Sequence, residues 1–216
     1  HLENNLGAYF PEQGMYSIVK NIYELALKKG VIFNFNSIVK TIDINNKKAV
    51  GIKVGDKTFT FDKIVSDSDI NYVANNMMDH PLKKRINRLE PSSSALVFYW
   101  GVNKAFPELD LHNILFSADY KEEFNNLFEE KTINNDPTVY IFVSSKMVKE
   151  DAPENCENWF VMVNAPSNSK ENWDDLIRVT RQNIITKINK SLKTHIEDYI
   201  EHESIASPIT IEQNTL

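Results

Sequence analysis

The stretch SSSALVFYWGVNKAFPELDLHNILFSADYKEEF, Ser92 to Phe124, decides how the rest of the chain is read. Its aliphatic and aromatic run, Ala95 to Val102, predicts a strand. A proline-containing turn follows, then a short strand over Asn113 to Phe116 and a helix opened by Asp119. Side chains alternate across a strand, so Leu96, Phe98 and Trp100 share one face, and Val97 and Tyr99 the other. One face is expected to pack on helices. The other is free to line an apolar channel, although an ordinary core on both faces fits the same pattern.

Upstream, Gly14 to Lys29 predicts a helix, with Met15, Ile18, Val19, Ile22 and Ala26 at helical spacing. Lys28 and Lys29 suit the negative end of its dipole, and Gly30 suits the left-handed stop. Val31 to Phe35 reads as a strand. Ser37 to Ile44, Lys47 to Val54 and Lys57 to Phe61 read as a three-stranded meander, turned at Asn45-Asn46 and Gly55-Asp56. Ile64 to Ser66 reads as a short strand. A helix over Ile70 to Met78 follows, capped by Asp67 or Asp69, and then one from Pro81 to Leu89.

Downstream, Thr138 to Ser144 and Trp159 to Asn164 predict strands around a polar loop. Asn172 to Leu192 predicts the longest helix, with Trp173, Leu176, Ile177, Thr180, Ile184, Ile188 and Leu192 in one stripe. Tyr199 to Ala206 reads as a strand, and Pro208 starts a further helix. The fold class is therefore α+β (mixed α/β), with a boundary expected between residues 1–88 and 89–216.

An apolar share of 42% is enough for a core. The net charge of −6 argues against a nucleic-acid partner, which calls for a basic stripe. The single cysteine, Cys156, rules out an internal disulfide and fits a reducing, cytoplasmic setting. No apolar run approaches the roughly 20 residues that span a bilayer. The chain opens on His1 rather than Met, and we expect a piece of a longer protein.

The serine run, the aromatic strand ending at Gly101, the Leu-His-x-Ile-Leu-Phe of residues 111–116 and the acidic-aromatic helix resemble the middle of the phytoene desaturase family, the carotenoid desaturases and isomerases. The first half resembles the second part of a two-dinucleotide-fold flavoprotein. Its counterparts to the family pattern are Pro11-Glu12-Gln13-Gly14, Gly30-Val31, Val39-Lys40-Thr41-Ile42 and Ser66-Asp67-Ser68-Asp69. Gln13 departs from the pattern, standing where the family has the first glycine of a pair. The resemblance implies part of an FAD-binding domain (helix, strand, three-stranded meander). Beyond it would lie a substrate domain with an antiparallel or mixed sheet flanked by helices. It also implies contact of the Val39 backbone with the adenine end of FAD, and a flavin-side turn at Gly14. From the residues themselves Gly14 reads first as a simple helix-opening turn.

None of the six glycines forms GxGxxG or a phosphate loop, which a flavin pyrophosphate needs at a helix N-terminus. These residues alone are therefore expected to retain FAD poorly and to carry no catalytic group. The implied substrate is a long apolar polyene, held by Phe98, Tyr99, Trp100 and His112, although the residues around His112 read first as closing a turn. The implied partners are the rest of a parent flavoprotein and a membrane surface touched peripherally. A retinoid-type saturase or isomerase shares this scaffold. The alternative reading is a non-catalytic module that binds an apolar ligand or a protein.

Other polar residues carry less. Asp67-x-Asp69 is explained by a helix cap. His202-Glu203 lacks the second histidine of a zinc protease helix. His80, His195 and Cys156 read as loop or surface groups, and Ser92-Ser93-Ser94 is no nucleophile elbow.

Overall fold

Gly14 adopts φ 76°, a left-handed conformation open to glycine, and the chain turns there into helix α1, Tyr16–Lys28. The Gly14 N–H donates to the Pro11 carbonyl at 2.9 Å. Its own carbonyl accepts from Ser17 N at 3.1 Å and from Ser17 Oγ at 2.7 Å. The computed structural model describes residues 5–167 and 172–215. It divides into two compact units. One is Leu27–Pro91 with the last residues; the other joins the N-terminal residues through Ala26 to Ser92–Glu212.

In the first unit Gly30, at φ 83°, ends α1 as expected. Val31 to Phe35 forms no strand. A strand exists only through hydrogen bonds to a neighbour, and Val31, Ile32 and Phe35 lie exposed here. Ile64 to Ser66 is likewise irregular. The meander is present as β1 (Val39–Asn45), β2 (Lys48–Val54) and β3 (Lys57–Thr60), paired antiparallel in that order. Its first turn centres one residue later than expected, on Asn46 and Lys47, both at positive φ. At Gly51 a Cβ would meet the Phe59 carbonyl oxygen at 2.7 Å, so only glycine lets β2 and β3 approach so closely.

Asp69 is the cap of the next helical turn: its Oδ1 accepts from Tyr72 N at 2.9 Å. That turn, Ile70–Tyr72, widens into a π-type turn over Val73–Met77, and a short helix α2 follows at Leu82–Ile86.

The second unit is built on five antiparallel strands: β4 (Ser94–Val102), β5 (His112–Leu115), β6 (Val139–Phe142), β7 (Glu157–Ala165) and β8 (Ile200–Ala206). Their order is β5-β6-β7-β4-β8. Helix α3 (Tyr120–Phe128) is capped by Asp119, which accepts from Glu122 N at 2.9 Å. The long helix α4 is Trp173–Leu192, and α5 is Pro208–Thr215.

The core lies on one face of this sheet. Leu96, Phe98, Trp100, Val139, Ile141, Trp159, Val161 and Val163 form one cluster with Ile184, Ile185 and Ile188 of α4. Two carboxylates that reach this core are partnered, whereas the Trp173 Nε1–H is buried without a partner among the described residues. Glu157, 4% exposed, accepts from Phe106 N at 3.0 Å and Trp159 Nε1 at 2.8 Å, and pairs with Lys146 Nζ at 2.6 Å. Glu203 bridges sheet and helix, accepting from Trp100 Nε1 at 2.6 Å and Arg181 Nε at 2.7 Å.

Candidate functional site

The strand register arranges the opposite face of the sheet in rows, because residues directly paired in antiparallel strands share a face. The central row runs Ser204, Tyr99, Phe160, Phe142, His112 across β8, β4, β7, β6 and β5. On one side lies Ala206, Val97, Met162, Tyr140, Ile114. On the other lies His202, Gly101, Asn158, and Ser144 beyond them, tied to Asn158 by a hydrogen bond.

The rings form a connected series. Tyr99 meets Phe160 edge-on at 5.5 Å between centroids, and Phe160 meets Tyr140 at 6.1 Å. His112 stacks on Phe142 at 5.2 Å and on Tyr140 at 6.0 Å, and Phe10 leans on Phe142 at 5.9 Å. His112 Nδ1 lies 2.8 Å from the Tyr140 hydroxyl. Partial burial raises the Tyr140 hydroxyl above its ordinary pKa of 10.0, so the phenol stays neutral at physiological pH. Tyr99 is 47% exposed, and Phe160, Phe142 and Tyr140 are half-buried.

Gly101 interrupts this face. Without a side chain there, a hollow of 410 Å3 opens between Tyr99, Phe142, Phe160 and Asn158. A Cβ at Gly101 would stand 3.3 Å from the Cβ of His202. The hollow is walled by rings, with its one polar side chain at the Asn158 end. A larger groove of 710 Å3 lies between the β5 edge and α4. There Lys187 is held by Asp136 at 2.6 Å and by the carbonyls of Pro137 and Phe116. Partial burial would raise the Asp136 carboxyl, but Lys187 and the Ala118 N–H outweigh it and hold the group below its ordinary value. Asp136 and Lys187 in that groove are thus satisfied by one another, while Lys190 also lines it.

Of the residues singled out from sequence, Tyr99 and His112 fall in the central row. His112 begins β5 and presents its ring to the open face, so it does more than close a turn. Phe98 and Trp100 are a correction: at 0% and 2% exposed they belong to the core beneath α4. The pleat forces this, since they alternate with Tyr99. Sequence reasoning missed Phe160, Tyr140, Phe142 and Asn158. The signal available was the alternation within their strands, Trp159/Val161/Val163 against Phe160/Met162 and Ile141 against Tyr140/Phe142.

The two residues assigned to a cofactor lie in different units. Val39 is half-buried at the start of β1, opposite Val54, where the ladder slips a residue before Thr41. Gly14 has both backbone groups engaged in the turn that opens α1. Among the described residues no three His, Cys, Asp or Glu side chains gather as metal ligands, and no helix is long and apolar enough to cross a membrane.

No family model matches the chain. Its curated homologues are carotenoid desaturases and related carotenoid oxygenases. A 1-hydroxycarotenoid 3,4-desaturase from a Flavobacterium species is 42% identical over the whole chain, which spans 44% of that protein. A phytoene desaturase of Fusarium fujikuroi is 27% identical over 94% of the chain and 40% of the relative. A 4,4'-diaponeurosporene oxygenase of Staphylococcus haemolyticus is 28% identical over 99% of the chain and 43% of the relative. The chain thus spans less than half the length of these relatives. Its fold matches the crystal structure of an oxidoreductase from Methanosarcina mazei with a TM-score of 0.58 and 11% identity, over 89% of this chain and 42% of that one.

Proposed function

We propose that this chain, a homologue of the carotenoid desaturases, supplies the polyene-binding wall of an FAD-dependent desaturase that acts on a hydroxylated carotenoid. The observation that carries this reading is the connected aromatic series on an open sheet face, Tyr99, Phe160, Tyr140, Phe142 and His112. A polyene has few polar handles, so its binding rests on apolar area, and each 100 Å2 covered contributes about 2.5 kcal/mol. Flat rings suit a flat conjugated chain and hold it in one plane. The neutral Tyr140 phenol, hydrogen-bonded to His112, fits a wall that binds, orients and excludes water.

FAD held by the complete enzyme would supply the two-electron acceptor for a hydride, the second hydrogen leaving as a proton to solvent, as a carbon–carbon single bond becomes double. On this reading the Val39 backbone faces the adenine end of the cofactor, as the family resemblance implies. No glycine-rich phosphate turn occurs in the sequence. On this reading that turn lies in the part of the enzyme these residues do not include. Peripheral contact with a membrane is part of the same reading. It is supported by the exposed ladder Tyr120, Phe124 and Phe128 along α3, with centroids 4.8 and 5.7 Å apart.

The test is to purify the complete natural gene product containing these residues. Its absorption spectrum is recorded, and its products with hydroxylated and unsubstituted polyenes are separated. The expected result is a flavin spectrum and a product with one more conjugated double bond. A flavin-free protein that leaves every polyene unchanged would overturn the reading in favour of a non-catalytic binding module.

A further inference from the structure

We propose that the row His202, Gly101, Asn158, Ser144 is the subsite for the oxygenated end of the polyene, with Asn158 as its hydrogen-bond donor; this deepens the polyene reading above and rests on it. The hollow over Gly101 has ring walls on the side of the central row and Asn158 at its polar end. A ligand seated there meets aromatic surface along its length and an amide at its tip.

The hydrogen bonds around Asn158 determine which chemistry the tip can offer. Ser144 Oγ donates its hydrogen to the Asp151 carboxylate. The Ser144 oxygen can therefore only accept from Asn158, whose Nδ2 lies 2.7 Å away. Asn158 Oδ1 accepts from Ser145 N at 3.0 Å. The amide is thus fixed in one orientation from both ends. Nδ2 carries two hydrogens and Ser144 takes one. The second has no partner among the described residues, and Asn158 lines the hollow.

The second Asn158 N–H therefore lacks an acceptor, and a hydroxyl or carbonyl oxygen on the chain end supplies it. A hydrocarbon end covers the same N–H and strips its water without replacing the bond. A site built to hydrogen-bond a substrate oxygen discriminates against the analogue lacking it. The row thus sets specificity for oxygenated polyene ends, and the rings beside it bind either kind.

The experiment compares kcat/KM of the complete flavin-loaded protein for a polyene bearing a terminal hydroxyl and for the matching hydrocarbon. Wild type should prefer the alcohol, and Asn158→Leu should lower the alcohol-to-hydrocarbon ratio about tenfold. Because the ratio is read, a general loss of packing moves both substrates and leaves it unchanged. If Asn158→Leu does not fold, Asn158→Asp gives the same reading: it keeps the side chain's shape, removes both Nδ2 hydrogens and again lowers the ratio. A wild type with no preference, or a ratio unmoved by the substitution, overturns the subsite while leaving the polyene wall standing. A wild type that converts neither substrate overturns the polyene reading and the subsite with it.

Discussion

The two faces of β4 are made of the same kinds of residue and live in different surroundings. Leu96, Phe98, Trp100 and Val102 are between 0% and 2% exposed, whereas Tyr99, one position away from two of them, is 47% exposed. Helix α4 and Phe106 close over the first face; the second holds rings that touch mainly one another. Polar groups differ in the same sense. Glu157, on the core face of β7, has three donors around its carboxylate. Asn158, its neighbour on the other face, keeps a donor in reserve. At this pair of neighbours the core side is saturated and the open side keeps a donor for a ligand, although the core itself holds a donor unpartnered among the described residues, Trp173 Nε1.

The largest effect should come from the core face. Phe98→Ala removes a fully buried ring and is expected to destabilise this unit by about 4 kcal/mol. Trp100, Trp159 and Trp173, all the tryptophans of the chain, lie in this core. Tryptophan emission during urea unfolding therefore reports this unit. A loss below about 1 kcal/mol would mean that Phe98 is not in the core and that the faces are assigned the wrong way round.

Next in size is the more buried of the ion pairs on the core face, Lys146–Glu157. Lys146→Met leaves Glu157 charged and buried, with two N–H donors and no cation, at a cost of about 3 kcal/mol. Adding Glu157→Gln removes the stranded charge and should recover much of that loss in the same unfolding assay. Equal stability of the single and double variants would show that Glu157 reaches water, and the contrast in polar partnering would fail.

The strands themselves were legible because alternation and turn chemistry are local. Asp69 and Asp119 stand at helix starts as capping chemistry demands. Which face α4 would cover was not legible from β4, because both of its faces are apolar. The discriminating pattern lies on β7, where Trp159, Val161 and Val163 alternate with Asn158, Phe160, Met162 and Asn164. Carrying that parity to β4 needs the register Tyr99↔Phe160, a pairing across 61 positions that no local rule sets. Phe98 and Trp100 were drawn to the site for that reason, and Asn158 was overlooked. Val31 to Phe35 failed for a related cause: its composition suits a strand, yet a strand is a relation between two segments, and this one joins neither of the two sheets.

The smallest effect is the sharpest test of the contrast. Tyr99→Ser removes a ring as large as that of Phe98, but from the open face. What it gives up is one edge-on contact with Phe160 and a modest share of buried area, so the unit should lose less than about 1 kcal/mol. The same emission-detected unfolding curve measures it beside Phe98→Ala. Two aromatic residues adjacent in sequence, on one strand, should then differ roughly fourfold in their contribution to stability. Adjacent positions share strand propensity and sequence context, so only the surroundings of the two faces can produce that difference. A Tyr99→Ser loss approaching that of Phe98→Ala would mean that something packs on the open face in solution. The row of rings would then be a second core rather than a wall waiting for a ligand.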